Sequence, residues 1–189
     1  WLGIGSSYND TYVSNINRAP AKAMPVYLFT QSELQFLIAE VQARFGNNDA
    51  AAKAAYEAAV KADFTSRGIA GADAFLAAPR TSWSAQASQA DKLKLLYMQK
   101  WVAFFYRNHM VAWSEARRTD VPALSSVSAK TVFEGSTDYK AGDFINPGIN
   151  FIEGEGLAKR VPYPGNARQY NRNTPAVKYL NDRVFWDKK

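Results

Sequence analysis

Apolar and polar residues follow a helical period over the first well-patterned stretch of the chain. Thr30 and Glu33 stand three residues apart, as in a capping box that opens a helix. After them, apolar residues recur at i, i+3, i+4 and i+7, namely Leu34, Leu37, Ile38 and Val41. Gly46 ends this pattern. The spacing predicts an amphipathic helix whose apolar stripe faces the core.

A second helix is predicted after a tight turn, with Asp49 as its N-cap. One face of this helix carries Ala52, Tyr56, Ala59 and Val60. Because alanine side chains are small, another helix can approach closely, so the two helices are predicted to form an antiparallel pair. The spacing also matches the second helix of a tetratricopeptide unit, with Phe36 near the first aromatic position of that repeat. Alanine-rich helices produce this match easily.

A linker over residues 67–90 follows, and a short helix is predicted within it around 73–77. A third helical stretch comes after this linker. The third stretch begins near Asp91 and continues or kinks near Asn108 before it ends at Arg118. Its apolar stripe is formed by Leu93, Leu96, Tyr97, Trp101, Phe104 and Phe105. An aromatic stripe at helical spacing is typical of a core face rather than of a ligand platform.

The pattern changes after Pro122. Residues 125–175 are rich in Gly, Pro, Asn and Ser and contain only short strand-like fragments. Such a tract is either functional or packed as an ordered cover over the helices. The sequence therefore predicts a single domain over residues 1–189, helical over 30–120 and loop-rich over 121–189. Its predicted fold is mainly α, with tetratricopeptide-like antiparallel helix pairs covered by long irregular loops.

Composition excludes several kinds of chemistry. The chain has no cysteine, and its single histidine, His109, cannot form a histidine-rich metal site. Glu153 and Glu155 are the only close acidic pair in loop sequence, and neither a nucleophile elbow nor a phosphate-binding loop occurs. We therefore predict a protein that is not an enzyme and that needs no cofactor or metal.

Charge and hydropathy also limit the partners. Lys plus Arg number 23 against 17 for Asp plus Glu, but the basic residues are scattered, whereas nucleic-acid binding requires a clustered patch. Nucleic acid is therefore not a predicted partner. No apolar run is long enough to span a bilayer. The chain begins "WLGIG" without a methionine, so we expect it to be a piece of a longer protein.

Aromatic, amide and guanidinium side chains in the loops suit a neutral carbohydrate, whose C–H faces stack on rings while polar groups bond its hydroxyls. They suit an extended peptide equally well. Trp83 and Tyr139 are the predicted ligand-binding residues, because both lie in polar connections outside any apolar period. The alternative is that such aromatics anchor the loops to the helices.

Three segments together resemble the SusD/RagB family. The first, "LFTQSELQFLIAEVQARFGNNDAAAKAAYEAAV", is similar to that family's Thr-x-x-Glu helix, Gly turn and Ala-rich helix. The second, "QKWVAFFYRNHMVAWSEARRTDVPAL", matches through Gln99, Trp101, Ala112, Trp113, Glu115, Arg117, Arg118, Thr119 and Pro122. The third, "KRVPYPGNARQYN", matches through Arg160, Tyr163, Pro164 and Asn171, and the terminal "VFWD" also fits. The chain departs from the family at Asp120, where Gly is usual, and at Val111 and Ala167, where Glu is usual.

The resemblance implies the C-terminal portion of a SusD-like nutrient-binding lipoprotein of the Bacteroidetes outer membrane. It implies non-catalytic capture of an oligosaccharide, or of a peptide in some branches, at the cell surface. The ligand would pass to a SusC-like TonB-dependent transporter, and a lipid anchor outside this chain would provide the only membrane contact. The competing interpretation is a helical-repeat scaffold that binds peptide or protein.

Arg117 and Arg118 stand at the predicted end of the third helical stretch. Adjacent residues on a helix point about 100° apart, so the two side chains cannot both face one ligand. Cations at this position meet the negative end of the helix dipole and the last free carbonyls, and Pro122 prevents continuation. We predict a structural role for the pair. The matched positions Trp113, Arg160, Tyr163, Pro164 and Asn171 are likewise assigned to structural motifs by the resemblance.

Overall fold

The computed structural model describes residues 25–128, 144–146, 158–176, 180 and 182–187. The chain divides into two compact units, one formed by Thr11–Pro122 and the other by Trp1–Asp10 with Ala123–Lys189. The prediction of a single domain over residues 1–189 stays a prediction, as does the covering of the helices by the loop-rich tract.

The first unit is helical. Its elements are α1 (Gln31–Arg44), α2 (Asp49–Arg67), α3 (Ala72–Ala77), a 3₁₀ turn (Trp83–Ala85), α4 (Gln89–Ala103) and α5 (His109–Thr119). The second unit contains a parallel pair of short strands, β1 (Leu124–Ser128) and β2 (Phe144–Asn146), and one short helix, α6 (Gly165–Tyr170). The predicted mainly α fold is confirmed. No helix in the described ranges is long and apolar enough to cross a membrane.

Local capping signals set the helix ends. The Thr30 hydroxyl accepts a hydrogen bond from the Glu33 backbone N–H at 3.1 Å, which confirms the predicted start of α1. The N-cap of α2 is Asn48, whose side-chain oxygen accepts from Ala51 N–H at 3.0 Å, and not the predicted Asp49 one residue later. Asp49 is thereby available for contacts elsewhere. Gly68, at φ +67°, ends α2 in the left-handed conformation that glycine adopts without strain.

The face of α1 that packs against the core is not the predicted one. Leu34, Leu37, Ile38 and Val41 are 37–52% exposed, whereas the buried positions are Ser32, Phe36, Ala39, Glu40 and Ala43. Residues 36, 39, 40 and 43 follow the same i, i+3, i+4, i+7 spacing, so the period fits both faces. The small side chains of Ala39 and Ala43 allow α2 to approach closely, and this close approach selects the observed face.

The predicted core face of α2 is confirmed, because Ala52, Tyr56, Ala59 and Val60 are all buried. The four-residue turn between α1 and α2 returns the chain, and the two helices pack as a pair. The rings of Phe36 and Tyr56 lie 6.3 Å apart across this pair. From α4, Leu95 and Leu96 complete the apolar core of the unit.

The third helical stretch is two helices rather than one. Residues 104–107 form a turn in which Tyr106 has φ +66°, and Asn108 then caps α5 by accepting from Val111 N–H at 3.2 Å. The predicted kink near Asn108 is therefore a complete break with a new cap. At the other end of α5, Asp120 has φ +57° and its N–H donates to the Ala116 carbonyl at 2.9 Å. This left-handed position explains why glycine suits it.

Candidate ligand-binding site

Trp83, one of the two predicted ligand-binding residues, lies in the core. Its side chain is 1% exposed, and its ring centroid is 5.5 Å from that of Tyr56. The indole N–H donates to Asp49 Oδ1 at 3.0 Å, and Lys92 Nζ reaches the same oxygen at 2.8 Å. A ring buried in this way has no free face for a sugar. We therefore correct the assignment: Trp83 ties the connection between α3 and α4 to the start of α2.

Tyr139, the other predicted binding residue, lies outside the described residues, as do Glu153 and Glu155. Its role stays a prediction. Within the described ranges, no group of three or more His, Asp or Glu side chains is arranged to hold a metal ion.

Arg118 joins α5 to α1 through a carboxylate. Its two terminal nitrogens donate to the two oxygens of Glu40 at 2.7 and 2.8 Å, and it also bonds Glu115 on its own helix at 2.7 and 3.0 Å. The guanidinium lies 5.3 Å from the ring centroid of Tyr97 on α4. In the described part of the chain, Arg118 therefore bonds acids on two helices, whereas the sequence predicted contacts with the helix-end carbonyls.

A second cation completes this cluster. Lys100 on α4 is 2% exposed, and its ammonium lies 3.0 Å from Glu115 Oε2. We call Glu40, Lys100, Glu115 and Arg118 the ionic junction, because together they connect α1, α4 and α5. Arg44 and the Tyr97 hydroxyl donate further hydrogen bonds to Glu40, at 2.9 and 3.1 Å. Every charge in the junction has an opposite charge within hydrogen-bond distance.

The junction changes the acidity of its carboxyl groups. Burial alone raises the pKa of Glu40, but hydrogen bonds from Arg118 and Arg44 outweigh burial and bring this pKa below its ordinary value. The pKa of Glu115 is lowered in the same way, with burial opposed by Arg118 and Lys100. Hydrogen bonds from Glu115 and Glu40 raise the pKa of Arg118. Glu40, Glu115 and Arg118 are therefore ionised at neutral pH.

Arg117 contacts a different group from its neighbour. Its guanidinium lies 4.4 Å from the ring centroid of Trp113, one turn back on α5. Its Nε is buried and has no hydrogen-bond partner among the described residues. Arg117 therefore stacks along its own helix, while Arg118 reaches to another.

The third matched motif, "KRVPYPGNARQYN", lies in the second unit and contains α6. Arg160 stacks on Tyr163, with 5.4 Å from the guanidinium to the ring centroid. Pro164 precedes α6, and Asn171 follows it, where its side-chain oxygen accepts from Asn173 N–H at 2.9 Å. The backbone N–H groups of Lys159 and Arg160 both donate to the Leu180 carbonyl. These contacts fix the chain on either side of α6.

Two exposed aromatics near the end of the chain were missed by sequence reasoning. Phe185 and Trp186 are 88% and 63% exposed, and their rings meet edge to face with centroids 4.6 Å apart. Asp187 follows them, with Oδ2 4.0 Å from Lys159 Nζ. The sequence feature that could have indicated this exposed pair is two adjacent aromatic residues among charged ones in "DRVFWDKK". We call Phe185 and Trp186 the aromatic pair.

Comparison with known proteins identifies the family. A family profile described as "starch-binding associating with outer membrane" matches residues 2–137, well over half of the chain. A search of curated proteins gave no match. The third motif and the aromatic pair lie beyond the matched residues. With its mainly α fold and the sequence motifs at both ends of the helical unit, the chain belongs to the SusD-like family.

Proposed function

We propose that this protein captures a neutral oligosaccharide at the bacterial cell surface and delivers it unchanged to a TonB-dependent transporter. The family's description as starch-binding and associated with the outer membrane supports the ligand class and the location. A lipid anchor outside this chain and a SusC-like transporter partner belong to the same proposal. Starch-derived glucan is the first ligand to test.

The aromatic pair is the observation on which the binding role rests. A ring that is 63% exposed leaves a large apolar face in water, and the C–H face of a pyranose covers such a ring favourably. Phe185, in edge-to-face contact, holds the Trp186 ring from one side. Arg183 and Asp187 flank the pair in the chain and offer groups that bond sugar hydroxyls. Trp186 thus replaces Trp83 as the proposed stacking residue, and Tyr139 stays a proposed second contact.

Titration calorimetry with maltoheptaose tests this role. Trp186→Ala removes the exposed ring, and we expect it to weaken binding about tenfold, since an aromatic contact contributes roughly 0.5–1.5 kcal/mol beyond its buried area. The matched control is Phe45→Ala, which removes a ring that is also largely exposed but lies at the end of α1. Equal affinity of Trp186→Ala and the unaltered protein for every neutral glycan that binds would refute the assignment.

The non-catalytic part of the proposal has its own test. Incubation with starch should release no new reducing ends, whatever the affinity for the glucan. Any turnover that Glu153→Gln or Glu155→Gln abolishes would make the protein an enzyme.

A scaffold that binds peptide or protein is the second candidate, and the exposed stripe on α1 favours it. Leu34, Leu37, Ile38 and Val41 form an apolar helix face that is 37–52% exposed. Binding of a peptide that Val41→Asp abolishes, with no affinity for any neutral glycan, would favour this candidate over sugar capture.

A further inference from the structure

A crevice opens in the helical unit between the second half of α2, α3 and the end of α4. Its volume is about 270 Å³. Phe36 and Val60, both buried, line its inner end, and Phe64 and Phe75 form an aromatic wall with ring centroids 5.3 Å apart. Most of the lining side chains are therefore apolar and offer dispersion contacts, and the polar ones are Asp63, Arg67 and Gln99.

Three large apolar side chains surround the mouth of this crevice. Ile69, Val102 and Phe105 are 55%, 43% and 52% exposed, although each lines the cavity. Exposed apolar surface that continues into an apolar cavity is characteristic of a binding site, because a ligand removes both surfaces from water.

The charged groups that line the cavity, Asp63 and Arg67, are already engaged with partners. Asp63 accepts from Arg67 Nε at 2.9 and 3.0 Å and from Arg107 Nη1 at 3.2 Å. Arg67 Nη2 donates in addition to the carbonyls of Ala103 and Phe105 at 2.9 and 3.3 Å. A cationic ligand would lose its hydration here without gaining an unpaired carboxylate, and an anionic one would meet an Arg67 whose Nε and Nη2 already donate to Asp63 and to two carbonyls, so the site disfavours charge.

Gln99 is the polar group that the crevice leaves available. Its side chain lines the cavity, and its amide makes no hydrogen bond to another residue in the described part of the chain. An amide both donates and accepts, so it can pair with one hydroxyl or one ring N–H of a ligand.

We propose that this crevice binds one uncharged aromatic ring system that carries a single hydrogen-bonding group, such as an indole or a phenol. The volume supports this class, because apolar cavities of about 150 Å³ hold benzene and drug-sized ligands need roughly 300–1,000 Å³. An oligosaccharide does not fit the description, since its many hydroxyls would meet one unpaired amide, a carboxylate and a guanidinium that are already paired, and otherwise apolar side chains. The site is therefore separate from glycan capture.

Methyl NMR with indole as the probe tests the proposal. We expect saturable shifts at Val60 and Ile69, which line the crevice, and none at Val41, which lies on the exposed face of α1. Gln99→Leu keeps the shape and removes the amide, so it should weaken indole binding about tenfold and leave naphthalene binding unchanged. Shifts at Val41 instead of Val60 and Ile69, or no saturable binding of indole and phenol, would overturn the proposal.

A blocking variant provides the second measurement. Val102→Trp places a large ring at the mouth, on a side chain that is already 43% exposed, and should abolish indole binding. Val41→Trp adds the same ring at an exposed helical position away from the crevice and should leave binding unchanged. Indole affinity that neither Gln99→Leu nor Val102→Trp alters would exclude the crevice as the site. Maltoheptaose should not compete with indole, and loss of glycan binding alone would leave this site intact.

Discussion

The aromatic core and the ionic junction both fasten the helical unit together, but by opposite means. In the core, the ring of Tyr56 on α2 contacts the rings of Phe36 and Trp83, and the Tyr56 hydroxyl and the Trp83 indole N–H both donate hydrogen bonds. In the junction, α5 buries only Ala116 and is connected to α1 and α4 through charges. The stability that the core provides is the sum of many weak contacts. The stability that each buried ion of the junction provides depends on its oppositely charged partner.

This difference predicts two kinds of response to substitution. A truncation in an apolar core costs the transfer free energy of the removed atoms plus a term for the remaining cavity, because neighbouring side chains relax only partly into the space. A buried ion that loses its partner keeps its whole desolvation cost. The junction should therefore tolerate replacement of a whole pair better than removal of one member.

The largest effect should follow Glu115→Ala. It leaves Lys100, which is 2% exposed, without its carboxylate partner, so the free energy of unfolding should fall by about 3–5 kcal/mol. Urea denaturation followed by circular dichroism measures the loss. Glu57→Ala is the matched control, because the Lys53–Glu57 pair is exposed and 3.8 Å long, and its removal should cost less than about 1 kcal/mol. If Lys100→Met does not restore stability to Glu115→Ala, the loss has another cause.

In the core, Trp83→Phe should have an intermediate effect. It keeps a ring but removes volume and the N–H that donates to Asp49, so we expect a loss of about 1–3 kcal/mol. The same denaturation experiment applies, and maltoheptaose affinity should be unchanged. A stable Trp83→Phe protein with reduced glycan affinity would return Trp83 to the binding site.

Acid should weaken the junction by less than Glu115→Ala does, because a protonated carboxyl group still accepts and donates hydrogen bonds. The folded pKa of Glu115 and of Glu40 lies below the unfolded value of about 4.5, so their stabilisation is complete well above that pH. It is lost as pH falls through the lowered folded pKa. The stability difference between the unaltered protein and Glu115→Gln should therefore shrink between pH 6 and pH 3. A difference that stays constant over this range would contradict the assignment.

The smallest effect should come from Ile38→Ser. Ile38 is 38% exposed on the face of α1 that the core leaves open, so stability should change by about 0.5 kcal/mol or less. Ala39→Leu, one residue later, enlarges a fully buried position and should cost about 1–3 kcal/mol. The reverse ranking in thermal denaturation would mean that the sequence had predicted the correct face after all.

Most local signals were read correctly from the sequence, with the N-cap of α2 misplaced by one residue, whereas long-range partners were not predicted. The Thr30 cap and the buried face of α2 depend on residues a few positions apart, so the sequence pattern alone predicts both. The α1 face could not be predicted, because the same period fits two sides of the helix and α2 selects between them. The sequence pattern predicts an exposed loop residue at Trp83, because its partner Asp49 is 34 positions away in the sequence.

The candidate site was less predictable than the fold for related reasons. Arg118 was correctly expected at a helix end, but its partner Glu40 is 78 positions earlier, and no local pattern links them. Phe185 and Trp186 are apolar by type, and composition assigns such residues to the core by default. Only the packing of the second unit reveals that both rings face water.

The backbone at Asp120 also bears on how related sequences are recognised. Its φ of +57° falls in the region that glycine occupies freely and that Asp and Asn enter more readily than other side chains. The path of the chain after α5 is thus compatible with three residue types. A search pattern that requires glycine after the Arg-Arg-Thr segment would reject this sequence, while one that accepts Gly, Asn or Asp selects for the shared backbone geometry. Such a pattern should retrieve further divergent sequences that end a helix with the same turn.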